Sequence, residues 1–379
     1  MKIAIDIRAL CGTKTGIGKL LENLLAALNK YNAENEITLF FNSLRGEIPD
    51  GIPDNNNFII KRTRVPNRLL NVGWAYINFP PTEYLLGDKD VYYSPNFQAP
   101  PAKKMGRVIT IHDLVFYTDP ELAMPEAVRH YKYRIKTYAE RADIITADSY
   151  ATASEISKHL GINQNRIRVV YPGAIPLKEI SNEETESILN KFKLGKYLLF
   201  IGCLEPRKNL IRLFKAFEQS KLYKDMTLAL AGPRGWRFEV LEAVWNSLKC
   251  KDRIRWLNYV SDEELSALYR NAEFFAFPSI AEGFGLPILE AMSAGCPVLT
   301  SDRSSMPEVA GNAAYYVDPF EIDSISNGLI KLASDTALRN QISDSGLARF
   351  REFSWDKMAS ELMAIFKEVL DNRAGREES

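Results

Sequence analysis

The sequence predicts an α/β protein built as two doubly wound, Rossmann-like domains. Three observations carry that expectation. The chain has 379 residues, enough for two cores of ordinary size. It opens with an apolar strand, KIAIDI, then a glycine-bearing loop and a leucine-periodic helix. The same strand, loop and helix order restarts at residues 197–219, after an acidic, polar stretch at 175–196 that reads as a linker plus one helix. The expected domains are residues 1–173 and 174–355, with a last amphipathic helix at 356–379.

Composition excludes several classes. A net charge of zero and a pI near 6.9 argue against a nucleic-acid partner, although the first half is slightly basic and the second slightly acidic. Cys11, Cys203, Cys250 and Cys296 are far apart, and with three scattered histidines they make neither a disulfide framework nor a structural zinc site. A reducing compartment follows. Met1 leads straight into a strand, and no apolar run reaches the length of a membrane span. The expected location is cytoplasmic.

Strand 2–7 is followed by a loop at 8–18 and a helix at 19–30, whose Leu20, Leu21, Leu24, Leu25 and Leu28 make one apolar face. Two motifs fail at this loop. A dinucleotide fingerprint needs a third glycine where Leu21 stands, and a P-loop needs Ser or Thr after Lys19 and a glycine in place of Thr13. Strands at 37–42 and 57–61 precede a poorly periodic stretch at 65–86 that holds Trp74, Tyr76, Phe79 and Tyr84. Asp88-Lys89-Asp90 has the acid-x-acid look of a metal site but reads as a solvated turn beside Gly87, ahead of strand 91–94.

Strand 107–111 ends in His112-Asp113, a polar pair at a carboxyl end, where open parallel sheets bind ligands. Residues 125–143 read as one helix with Arg129, Lys132, Arg134, Lys136 and Arg141 among three tyrosines. That is a solvated face over a Tyr-lined core, with contact to anionic lipid headgroups as the alternative. Strand 144–147 leads to Asp148-Ser149, which cap a helix at 152–160 and place the Ser149 hydroxyl near a ligand. Strand 168–171 closes the half.

In the second half, strand 197–202 runs into Glu205-Pro206-Arg207-Lys208-Asn209 and a helix at 210–219. Strand 227–231 ends at Gly232-Pro233, and strand 253–257 at Tyr259-Val260, before a capping box at Ser261 and Glu264. The most informative stretch is 273–301, EFFAFPSIAEGFGLPILEAMSAGCPVLTS. A buried strand at 274–277 opens into a turn and the loop Gly283-Phe284-Gly285. Pro287 begins a helix that stops at Gly295, and another strand follows at 296–300. A glycine loop opening a helix at a strand's carboxyl end receives anions. Glu282 and Glu290 bracket it with seven residues between, and a carboxylate there is repelled unless it faces hydroxyl groups. Arg207 and Lys208 are either plain surface charges of a loop or, with a diphosphate present, its counter-charges.

The Glu-x7-Glu spacing around Gly-Phe-Gly, followed by Glu-Ala-Met-x-x-Gly-x-Pro-Val and joined by Pro-Arg-Lys-Asn at 206–209, resembles the retaining glycosyltransferases of family 4. The resemblance spans nearly the whole chain and is densest from Gly202 to Pro297. It implies the GT-B fold, two facing Rossmann-like domains with a cleft between them, acceptor on the first and nucleotide-sugar on the second. The last helix would cross back to the first domain. It implies a catalytic group of Glu282, Lys208, Arg207 and His112. Gly16, Gly18, Gly202, Gly232, Tyr259, Val260, Gly283, Phe284, Gly285, Leu286 and Glu290 would bind the donor. Within that set, Glu282 and the Phe284 and Gly285 amides hold sugar hydroxyls, Glu290 the ribose, Arg207 and Lys208 the diphosphate, and the Tyr259-Val260 backbone the base. Asp113 and Ser149 would face the acceptor.

Two positions depart from the family pattern: Cys203 stands where many members carry a phosphate arginine, and Asp113 where they carry Thr. The wording IGCLEPRKN and GPRGW resembles bacterial mannosyl- and rhamnosyltransferases of surface polysaccharide assembly. The implied reaction is a metal-independent transfer with no cofactor beyond the donor. GDP-mannose is the first donor, with dTDP-rhamnose and UDP-hexoses next, and the acceptor is a saccharide or lipid-linked saccharide. Peripheral contact with the inner face of the cytoplasmic membrane stays open. The alternatives are another GT-B enzyme acting on nucleotide sugars, an epimerase or phosphorylase, or a catalytically silent sugar-nucleotide binding module.

Overall fold

The computed structural model describes residues 1–11, 16–31, 34–44, 48–53 and 58–377. The chain divides into two units. One comprises Met1–Thr118, Pro125–Gly173 and Ser354–Ser379; the other comprises Asp119–Met124 and Ala174–Phe353.

The first unit is a sheet of seven parallel strands: β1 Lys2–Asp6, β2 Glu36–Asn42, β3 Phe58–Thr63, β4 Val91–Ser94, β5 Gly106–Ile111, β6 Ile144–Ala147 and β7 Ile167–Val169. Their order is β3-β2-β1-β4-β5-β6-β7, so the winding reverses between β1 and β4. The inner strands are nearly continuous apolar runs, as strands covered on both faces must be. Leu20, Leu21, Leu24, Leu25 and Leu28 pack on Ile3, Ile5, Ile37 and Leu39, and the last helix, Trp355–Glu377, adds Met358, Leu362, Phe366 and Val369 to the same core.

The first helix runs Gly16–Leu28, three residues earlier than the leucine periodicity suggests. Gly16 and Gly18 therefore lie in its first turn and not in a loop; residues 12–15, including Thr13, lie outside the described residues, as does Asn57. Residues 125–143 are two helices, Pro125–Tyr131 and Ile135–Arg141, and not one. Their cations are not all solvated. Arg141 donates to the Trp74 carbonyl at 2.6 Å in a partly buried bond, whereas Arg134 meets the exposed Tyr76 hydroxyl at 3.0 Å on the surface. The stretch at 65–86 looked aperiodic because few of its residues face the sheet: Leu70, Trp74 and Leu86 do, packed on Phe40 and Tyr92. At the turn before β4, Asp90 accepts from the Lys2 amide at 2.7 Å and Lys89 pairs with Glu36.

The second unit has six parallel strands: β8 Tyr197–Ile201, β9 Thr227–Ala231, β10 Ile254–Asn258, β11 Phe274–Phe277, β12 Val298–Ser301 and β13 Tyr315–Val317. Their order is β10-β9-β8-β11-β12-β13, with the reversal between β8 and β11. The loops that leave those two strands are thus neighbours at the switch point, the place where such sheets hold ligands. Phe200, Phe275 and Phe277 stack beneath them, with ring centroids 5.9 Å and 5.4 Å apart. No described helix is long and apolar enough to cross a membrane.

Candidate active site

Glu282 is the hub of the second unit. It leaves the β11 loop buried, yet it is ringed by donors. Lys208 Nζ donates to its Oε1 at 2.6 Å, Ser279 Oγ donates to the same oxygen at 2.6 Å, and Arg207 pairs with Oε2. Burial by itself raises the carboxyl pKa; Arg207 and then Lys208 outweigh it and hold Glu282 down to about 2. The Lys208 ammonium is pushed down by burial and by the like charge of Arg207, against the pull of Glu282. It also sits 4.8 Å over the Phe277 ring. Arg207 is shared, with Nε 2.5 Å from Glu205.

Backbone contacts lock the two loops together. Asn209, at a positive φ of 62°, sends its Nδ2 to the carbonyls of Pro278 (3.0 Å) and Pro319 (2.6 Å). The Ile280 amide donates to the Arg207 carbonyl at 2.8 Å. From the turn after β12, Ser305 Oγ donates to the carbonyls of Glu282 and Phe284, at 3.0 and 2.7 Å. Gly285 caps the helix Leu286–Ser293 at φ 109°, a conformation that favours glycine, with no side-chain capping bond. Phe284 turns inward onto Phe353. One turn into the helix, Glu290 Oε2 accepts from the buried Tyr269 hydroxyl at 3.1 Å. Burial, then Glu290, raise the Tyr269 phenol far enough to keep it a donor.

Gly202 and Gly232 end β8 and β9 side by side. A Cβ on Gly232 would lie 2.1 Å from the Gly202 carbonyl oxygen, so only glycine fits. Tyr259 is exposed and Val260 half-buried, between β10 and the helix Asp262–Asn271, whose Ser261–Glu264 capping box is present. Cys203 is half-buried and burial raises its thiol, so it supplies no charge beside Arg207. Among the described residues, no group of three or more His, Cys, Asp or Glu side chains is placed to hold a metal ion.

In the first unit, His112 is clamped. Its Nδ1 lies 2.7 Å from Asp148 Oδ2 and its Nε2 2.9 Å from the Pro95 carbonyl. Both partners are acceptors, so both ring nitrogens must donate and the imidazole is a cation. Burial works against that charge, but Asp148 outweighs it and raises the pKa to about 9. Asp113 spends one oxygen on the Val115 amide at 3.1 Å. Ser149 is fully buried and caps the helix Tyr150–Leu160, accepting from the Thr152 amide at 3.1 Å. Its Oγ also lies 3.1 Å from Thr152 Oγ1, inside the same cap.

Residues 181–349 match the family model for glycosyl transferases group 1, and residues 15–176 match the model for glycosyltransferase family 4. An O-antigen chain mannosyltransferase B of Escherichia coli is 32% identical, over 97% of this chain and all of its own length. The chain belongs to glycosyltransferase family 4. Solved structures share the fold at lower identity. A sucrose-phosphate synthase from Thermosynechococcus elongatus superposes with a TM-score of 0.76 at 17% identity, over 98% of this chain and 99% of its own. Anabaena HepE, solved with UDP and glucose, gives 0.72 at 18%, over 97% of this chain and all of its own. The expected GT-B fold is thus the fold of this glycosyltransferase.

Sequence reasoning named Glu282, Arg207, Lys208 and Glu290 of this family 4 enzyme but missed the groups that hold them. Asn209, Tyr269 and Ser305 reach partners 21 or more positions away, and Ser279, three residues before Glu282, read only as part of a turn. Asp148 was visible only as a capping residue; its bond to His112 spans 36 positions.

Proposed function

We propose that this glycosyltransferase moves a mannosyl group from GDP-mannose to a saccharide or lipid-linked saccharide of an O-antigen-type polysaccharide, with retained anomeric configuration and without a metal ion. One observation carries the reading: Lys208, Arg207 and Glu282 converge where β8 and β11 end, beside the helix that bears Glu290. The full-length similarity to an O-antigen mannosyltransferase supports the choice of sugar and pathway class.

The bond that breaks joins the anomeric carbon to a diphosphate oxygen. The bond that forms joins the same carbon, on the same face, to an acceptor oxygen, and the acceptor proton passes to the leaving phosphate. The protein's part is electrostatic. Arg207 and Lys208 neutralise the charge that builds on the leaving group, and Glu282, itself braced by Ser279, holds both cations in place beforehand. Glu282 and the Phe284 and Gly285 amides meet sugar hydroxyls. Glu290, fixed by Tyr269, accepts from ribose hydroxyls, and Tyr259-Val260 receive the base.

Calorimetric binding of GDP, UDP and dTDP sugars tests this, followed by NMR of the product made with EDTA present. GDP-mannose is expected to bind tightest and to yield an α-linked product. Preference for another donor overturns the sugar assignment, and loss of turnover in EDTA overturns metal independence. Donor hydrolysis or epimerisation without acceptor dependence points to a different GT-B reaction; tight binding with no transfer points to a silent binding module.

A further inference from the structure

A cavity of about 570 Å³ in the second unit is lined by the helices Leu210–Ser220 and Phe238–Ser247 and by the loop that leaves β8. That is the size of a small-molecule site. Its walls are mainly aliphatic: Leu122, Leu204, Leu210, Leu241, Ile280 and Ile322. Leu122 comes from the segment Asp119–Met124, which belongs to this unit. The loop at 205–209 faces two ways. Arg207 and Lys208 turn to Glu282, whereas Glu205, Pro206 and Asn209 line the cavity. The space therefore backs onto the Glu282 cluster without including Glu282, Arg207 or Lys208.

Its charge is one-sided. Arg212, Lys215 and Arg237 line it, and the acid that does so, Glu205, is already paired with Arg207 Nε at 2.5 Å. Lys215 and Arg237 are exposed and have no carboxylate partner among the described residues. Arg212 donates to a neutral acceptor, Asn209 Oδ1, at 3.1 Å. Trp236 adds an unmet donor: its indole N–H is buried and has no partner among the described residues, whereas such groups ordinarily have one. Arg237 covers a face of the Trp236 ring at 4.8 Å, and none of the other lining residues is aromatic. These walls suit an aliphatic body better than a stacked base.

We propose that this cavity binds an aliphatic phosphate monoester, its chain against the leucine and isoleucine walls and its phosphate among Arg212, Lys215 and Arg237. Three cations and one indole N–H match the charge and three terminal oxygens of a phosphate better than the single charge and two oxygens of a carboxylate. An aliphatic chain supplies the apolar surface that the walls bury. The occupant touches Glu205, Pro206 and Asn209, the residues on either side of Arg207 and Lys208.

Calorimetry of the full-length protein with octyl phosphate, kept below its micelle concentration, tests this. One saturable site per chain is expected. Inorganic phosphate, which lacks the chain, and octanol, which lacks the charge, should each bind at least about tenfold more weakly. Octanoate should bind at least about fivefold more weakly. The variant Lys215→Glu/Arg237→Glu and the filling variant Val240→Trp should each weaken octyl phosphate at least about tenfold, at unchanged melting temperature. Trp236→Phe, which keeps an aromatic ring and removes the donor, should weaken it about fivefold. Absence of a saturable site, equal binding of octanol or octanoate, or undiminished binding by both Lys215→Glu/Arg237→Glu and Val240→Trp overturns the proposal. So does displacement of octyl phosphate by whichever nucleotide sugar binds tightest, which would make the cavity part of the donor site. Binding is read without turnover, so failure of the proposed reaction leaves this result standing.

Discussion

Glu282→Gln removes one charge from the buried cluster while keeping its volume, and its consequence can be worked from the geometry. In the folded chain Arg207 and Lys208 hold the carboxyl near 2, against an ordinary value of 4.5. That depression corresponds to about 3 kcal/mol of stability at neutral pH, at about 1.4 kcal/mol for each tenfold change. Removing one partner of a buried pair costs a similar amount, about 3–5 kcal/mol, because Lys208 is left buried with a weaker partner. The unfolded carboxyl takes its proton first as pH falls, so the contribution is complete above 4.5 and lost as pH drops towards 2. The variant should therefore melt roughly 6–12 °C below the wild type at pH 7, for a domain of this size. The gap should close progressively in acid. Trp236, Trp245 and Trp256 lie in the second unit and Trp74 and Trp355 in the first, so tryptophan fluorescence of a Trp74→Phe/Trp355→Phe background follows the affected unit. Coincident melting of the two proteins across the whole pH range would refute the reasoning, since it would mean that Glu282 is not paired in solution.

Lys208→Ala should lower turnover by roughly 10²–10³-fold, the scale of one lost electrostatic donor at a developing charge, and steady-state kinetics with saturating donor would show it. His112 should titrate near 9 by NMR; a midpoint near 6.5 would mean that the clamp is absent. Because that pKa is raised, its stabilising contribution is complete below 6.5 and disappears as pH rises through about 9, and Asp148→Asn should abolish this alkaline loss. Gly232→Ala should destabilise by at least about 2 kcal/mol in chemical denaturation, since the methyl meets the Gly202 carbonyl at φ 139°. Gly195→Ala, with open space around it, should stay within about 0.5 kcal/mol.

Much of the architecture was legible in short windows. Nearly continuous apolar runs marked the strands that became β1, β8 and β11, and turn chemistry marked the Ser261 capping box and the stop at Gly295. Element ends were less legible. The first helix begins at Gly16 because its first turn needs no leucine, so periodicity alone places its start too late. The break between Tyr131 and Ile135 was hidden because tyrosines and cations continue through it; Tyr131 instead turns onto Phe97, 4.4 Å away. The exposure of Leu69, Val72, Tyr76 and Ile77 was invisible as well, since apolar side chains in a sequence do not say which of them meets the core.

The amino-acid order by itself determined which residues carry charge and how they are spaced: two acids seven residues apart around a glycine loop, and two adjacent cations after a strand. Only the tertiary structure decided that they meet. Lys208 and Glu282 are 74 positions apart, and they touch because parallel crossover connections place β8 beside β11. The same is true of Tyr269 with Glu290 and His112 with Asp148. Helices and turns form from contacts between near neighbours, and so their signals are local. Strand order is set by which crossovers bury the most apolar surface, and that choice belongs to the whole chain.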